Sequence, residues 1–108
     1  MTDSELLELA AKTAGMDCVW DGDSFVFKPR FEVHWHVWNP LTDDGDALRL
    51  AVKLGIDIEF FLGEPSTVDA TRSLGAFIPR TEFMKDDPYA ATRRAIVRAA
   101  AEIGRGME

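Results

Sequence analysis

Cysteine occurs once in the 108 residues, as Cys18, so no internal disulfide can form and packing alone must hold the fold. Such usage fits a reducing, cytoplasmic setting. Long apolar runs are missing as well. No stretch approaches the roughly 20 residues that a membrane-spanning helix needs. A polar cap and acidic residues stand where a secretory signal would be basic and then apolar. Basic charge is scarce: twelve Lys and Arg against nineteen Asp and Glu give a net charge of −7. Sequence-independent binding to nucleic acid depends on basic side chains displacing counterions, so this balance disfavours it. No phosphate-binding glycine loop, G-x-S-x-G or H-E-x-x-H pattern occurs, and no nucleophile stands with a base. No catalytic residue and no cofactor follow from the sequence.

What is present is an ordinary globular composition, 46% apolar and 29% charged, in a length that suits one domain over residues 1–108. Thr2 and Glu5 have the spacing of a capping box, and Leu6, Leu7, Leu9, Ala10 and Ala14 form one helical face that ends at Gly15. Residues 18–20, 24–28 and 31–38 read as an antiparallel meander turning at Asp21-Gly22-Asp23. In F-E-V-H-W-H-V-W, alternation places Phe31, Val33, Trp35 and Val37 on one face and Glu32, His34, His36 and Trp38 on the other, with Trp38 either covering the outer face beside the histidines or closing the core edge at the turn. Residues 56–62 form a further strand, with Ile56, Ile58 and Phe60 inward. A weaker strand falls around residues 75–78, and residues 80–85 carry no clear pattern. Asp87-Pro88 opens a last helix that runs to about Ile103. The expected fold is α+β: one antiparallel sheet of four to five strands, with three helices packed mainly on one face.

The run W-N-P-L-T-D-D-G-D-A-L-R-L-A-V-K-L, residues 38–54, joins the aromatic strand to a helix with a well-marked start. Thr42 or Asp43 supplies the N-cap, and Asp43, Asp44 and Asp46 place negative charge at the positive end of the helix dipole. Ala47, Leu48, Leu50, Ala51, Val52 and Leu54 make a broad apolar arc, and Gly55 stops the helix. The aspartates lack the alternate spacing and twelfth-position glutamate of a calcium-binding loop.

Two clusters are candidates for chemistry. His34 and His36 project to one side of an extended strand and could chelate a metal with Glu32, but zinc needs at least three protein ligands. The final helix carries Arg93, Arg94, Arg98 and Arg105 against Glu102 alone, a local charge of +3 that leaves −10 elsewhere. Such a stripe can meet phosphates, or it can be a solvated face paired with the chain's own acids. Cys18, beside Val19 and Trp20, reads as a small buried hydrophobe.

Residues 38–54, residues 87–104 (D-P-Y-A-A-T-R-R-A-I-V-R-A-A-A-E-I-G) and E-L-L-E-L-A-A-K-T-A-G at residues 5–15 together resemble small accessory proteins of tailed bacteriophages and prophages, the NinX-like family. The resemblance implies a phage-derived protein of the bacterial cytoplasm and supplies no site residues. With the acidic charge, it leads to the expectation of a non-enzymatic protein that binds a host or phage protein. The target expected is a host defence or nucleic-acid-handling factor, met through an acidic surface. The expected contacts are Asp43, Asp44, Asp46, His34, His36 and Trp38. The alternatives are a nucleic-acid binder using the four arginines and, further down, a metalloprotein using His34 and His36. The aromatic strand also offers an edge to a second copy.

Overall fold

A computed structural model describes residues 1–29, 31–72 and 79–106. Helix α1 spans Asp3–Thr13, strands β1, β2 and β3 span Val19–Trp20, Phe25–Phe27 and His36–Val37, and helix α2 spans Asp44–Leu54. Strands β4, β5 and β6 then occupy Asp57–Phe61, Thr67–Thr71 and Arg80–Phe83, and α3 runs over Pro88–Gly106. No helix among the described residues is long and apolar enough to cross a membrane.

The helices start where short polar side chains can satisfy free backbone N–H groups. Thr2 Oγ1 accepts from the Glu5 N–H at 3.2 Å while Glu5 Oε1 accepts from the Thr2 N–H at 3.0 Å, a complete capping box. Asp43 caps α2 by accepting from the Asp46 N–H at 2.8 Å, and Asp87 caps α3 by accepting from the Ala90 N–H at 3.0 Å. Gly55 ends α2 in the left-handed conformation, φ 66°, which a side chain would disfavour.

The class is α+β: among the described residues there are three helices and antiparallel pairing throughout, but the strands form two sheets instead of one. The first has order β1-β2-β3 and the second β4-β5-β6. The expected strand at residues 31–38 keeps only His36–Val37. Its earlier part is diverted by a turn that the Glu32 N–H closes onto the Pro29 carbonyl at 3.0 Å, with Phe31 at φ 74°. With β1 and β3 two residues long, the first sheet has no edge long enough to continue into β4. The second sheet gains β5, at residues 67–71, and β6, at residues 80–83, where no pattern was legible. The strand expected at residues 75–78 lies outside the described residues.

Small residues let α1 and α3 approach closely. Ala10, Ala11 and Ala14 are buried with Ala95, Ala99, Ala100, Ala101 and Gly104 in a core that also holds Leu6, Leu7, Leu50, Ile96 and Val97. The second sheet lays Val68 and Ala70, both fully buried, against this layer, while Asp57 and Glu59 alternate to the opposite face. The first sheet contributes Phe25 and Trp38.

Trp38 closes the core edge at the turn, the second of the two places expected for it, and so does not join His34 and His36 in an outer strip. It is 3% exposed, and its N–H donates to the Phe25 carbonyl at 2.9 Å. Val37, expected inside, is 61% exposed, and Phe31, Val33 and Trp35 are exposed as well. In β4, Ile56 just before the strand is buried and Ile58 is half-buried, but Phe60, also expected inside, is exposed.

Candidate functional site

The acidic run that opens α2 is committed to its own turn. The Asp46 carboxylate is 8% exposed as a residue, accepts from the Asn39 N–H at 3.0 Å and pairs with Arg49 at 2.8 Å. The Asn39 side chain accepts from the Leu41 N–H at 3.0 Å, and its carbonyl accepts from the Asp43 N–H at 2.9 Å. Asp43 is the cap of α2, and Asp44 pairs with Arg93 at 2.6 Å. Asp43 and Asp44 remain exposed, whereas Asp46 and Trp38 do not face solvent. The six residues expected to make one partner surface are therefore divided between core and exterior.

The arginines of α3 are likewise engaged within the molecule. Arg93 Nε donates to the Leu41 carbonyl at 2.8 Å, Arg94 pairs with Asp3 at 3.1 Å, and Arg105 approaches Glu102 at 3.8 Å. Arg98 pairs with Glu82 and donates to the Thr81 carbonyl at 3.3 Å. Arg80 on β6 reaches Glu102 at 3.1 Å. These bonds lace α3 to the loop before α2, to α1 and to β6.

His36 Nε2 lies 3.3 Å from Glu32 Oε1, and its ring tilts against Phe27 at 5.7 Å between centroids. His34 is exposed and joins neither contact. Among the described residues no group of three His, Cys, Asp or Glu side chains is placed to hold a metal ion. Cys18 is half-buried, and burial first, then the nearby Asp17 and Asp46 carboxylates, pushes its thiol pKa upward. A thiol held protonated is a poor nucleophile. At the β1–β2 turn, the Ser24 and Asp23 N–H groups donate to Asp21 and hold its carboxyl below the ordinary carboxylate range. That aspartate shapes the turn.

A cleft of about 470 Å³ opens between β3 and the start of α2, lined by Phe27, His36, Asn39, Asp43, Asp46 and Arg49. A neighbouring one of about 420 Å³ shares four of these and adds Met16, Trp38 and Lys53. Most polar groups in them already bond to one another within the Asn39–Arg49 turn. The arrangement offers no nucleophile activated by a base.

The most distinctive exterior feature is the solvent side of the first sheet. The register places Val19 opposite Val26 and Val26 opposite Val37, so three valines stand in one cross-strand row. Phe25 and Phe27 alternate to the core side. Trp35 continues the outer surface, with Lys28 Nζ 5.6 Å from its ring centroid. An antiparallel sheet with one face on the core normally shows polar side chains on the other. Here that outer face is aliphatic and aromatic. The alternation that marked Val33, Trp35 and Val37 as a set was legible in the sequence, but the side on which they lie was not.

Comparison with protein-family models, with curated proteins and with solved structures gives no match for this chain.

Proposed function

We propose that the chain is a non-enzymatic accessory protein of a tailed bacteriophage or prophage, acting in the bacterial cytoplasm by docking onto a host or phage protein. The docking face is the outer side of the β1–β2–β3 sheet. The observation that carries this reading is the row Val19, Val26 and Val37, with Trp35 beside it and all but Val26 exposed. Apolar side chains clustered on a sheet's solvent face mark interaction surfaces more often than scattered ones do. An aromatic anchor such as Trp35 is the kind of residue that tends to dominate binding energy.

The resemblance of residues 38–54 and 87–104 to phage accessory proteins supports the assignment of origin and partner class. Acidic charge retains a part as a steering field, since Asp57 and Glu59 lie on the exposed face of β4. It is no longer centred on Asp43, Asp44 and Asp46. A nucleic-acid role for Arg93, Arg94, Arg98 and Arg105 is the weaker reading, because each of these side chains already reaches a carboxylate.

The test is affinity capture from a bacterial lysate, with and without nuclease, using the native chain, Val37→Glu and the triple change of Asp43, Asp44 and Asp46 to Asn. A stoichiometric protein retained after nuclease, lost with Val37→Glu and kept by the folded fraction of the triple variant is expected. Retention of the same partner by Val37→Glu would remove the sheet face from consideration. Recovery that depends on nucleic acid would instead promote the arginine helix, the alternative reading.

A further inference from the structure

We infer that the chain forms a two-fold dimer by pairing β4 with β4 of a second copy, antiparallel and centred on Phe60. β4 is an outer strand of its sheet, and its outward edge makes no backbone hydrogen bond among the described residues. An unpaired edge of five residues is a template for another strand unless charged side chains, proline or a covering element blunt it. Asp57–Phe61 holds neither proline nor lysine, and its two charged residues, Asp57 and Glu59, lie on the face away from Ile58 and Phe60. The other edges are less suited: β1 and β3 are two residues long, and β6 is tied to α3 through Arg80–Glu102 and Arg98–Glu82.

Beside this edge lies an apolar groove of about 680 Å³ between α2, β4 and the start of α3, with Leu48, Ile58, Phe60, Leu62, Met84 and Tyr89 in its walls. Leu62 is 81% exposed and Tyr89 69%. The groove and the free edge adjoin, so an added strand would lay alternate side chains into the groove while its backbone completes the ladder.

The register selects a second copy as that strand. With Phe60 on the two-fold axis, Phe60 meets Phe60, Ile58 meets Leu62, and Glu59 meets Phe61. Every pair on the groove side is then apolar. Centring on Glu59 instead would oppose two glutamates directly, and a shift of one residue would turn the apolar set to the wrong face. The area also suffices. Aromatic side chains present roughly 150–250 Å² each, so the exposed parts of Leu48, Phe60, Leu62 and Tyr89 come to about 500 Å² per copy. The pair then buries on the order of 1,000 Å², the lower end for a specific interface. The two-fold stands perpendicular to the sheet, which places both copies of α3 on one side and merges the two grooves over the seam. This surface is separate from the valine row, so the inference does not depend on the docking role proposed for that row.

Sedimentation velocity up to about 0.2 mM, where even weak interfaces are populated, tests it on three chains: native, Leu62→Asp and Val37→Glu. The native chain is expected at twice its mass of 12.0 kDa. Leu62→Asp, at a position outside the monomer core, is expected to raise the dimer dissociation constant at least about 100-fold with circular dichroism unchanged. Val37→Glu is expected to dimerise as the native chain does. A monomeric native chain overturns the inference, as does a Leu62→Asp variant that still dimerises, or a Val37→Glu variant that does not.

Discussion

Replacing Gly104 with alanine sets two physical effects of opposite sign against each other. In a helix, alanine is favoured over glycine by up to about 1 kcal/mol, and less near an end, so propensity alone predicts a more stable protein. The packing of α1 on α3 predicts the reverse. A Cβ at position 104 would stand 2.9 Å from the Leu9 carbonyl oxygen and closer still to Thr13 Oγ1. Neither neighbour yields readily. The Leu9 oxygen is backbone, and Thr13 Oγ1 is held 2.8 Å from Leu9 O and 3.1 Å from Ala100 O. Overpacking of this kind costs about 1–3 kcal/mol. Displacing the threonine adds about 1 kcal/mol for the interhelical hydrogen bond. After the propensity gain is subtracted, Gly104→Ala should lose about 2 kcal/mol, which in a domain of this size lowers Tm by roughly 10 °C.

Thermal and urea unfolding followed by circular dichroism measure this directly. Gly106→Ala is the control, since a Cβ there meets nothing within 4 Å. It should be neutral or slightly stabilising. Thr13→Ala removes the hydroxyl that stands closest, so the double variant should recover part of the loss, with a coupling of about 1 kcal/mol between the two positions. A Gly104→Ala protein as stable as the native chain, or more so, would refute the close approach of α1 and α3 at this point.

Asp46→Ala should cost about 2–3 kcal/mol in urea unfolding, because it orphans the Asn39 N–H inside the turn. Asp44→Ala should cost no more than about 1 kcal/mol, since its carboxylate is 71% exposed although it pairs with Arg93. Equal losses at the two positions would contradict the separate roles assigned to them. Cys18 should react with a thiol reagent at pH 8 at least about tenfold more slowly in the folded chain than in urea, where burial no longer raises its pKa. The sign for stability follows from the raised folded pKa. The thiol's contribution is constant below the unfolded value and falls as pH rises toward the folded one. A Cys18→Ser protein should lack that alkaline decline, and finding the same slope in both proteins would show that another group is responsible.

The parts of this molecule that could be read from sequence are those decided within a few residues. Thr2 with Glu5, Asp43 with Asp46 and Asp87 with Ala90 satisfy free N–H groups across one helical turn, and all three contacts are present. Gly55 likewise stops α2 by local conformation. The strands depend on partners far along the chain. In residues 31–38, aromatic and β-branched side chains occupy both faces, so alternation supplies the two sets without saying which one is buried. Four apolar residues against one favoured the set containing Val37. The core took Trp38 instead, because of the turn that succeeds it in the chain. Asn39–Pro40 leads directly into α2, where Asp46 reaches back to the Asn39 N–H, and this contact anchors the end of the strand at the start of the helix. Trp38 is thereby carried into the shared core, and the residues at 33, 35 and 37 are sent outward as a consequence. The same bond consumes Asp46, which had looked available to a partner. A signal for this lay in the sequence: a tryptophan directly before Asn-Pro, eight residues ahead of an aspartate in the first turn of a helix with an apolar face. Together those features tie the tryptophan to the helix's buried side, and the candidate docking face consists of the residues left over.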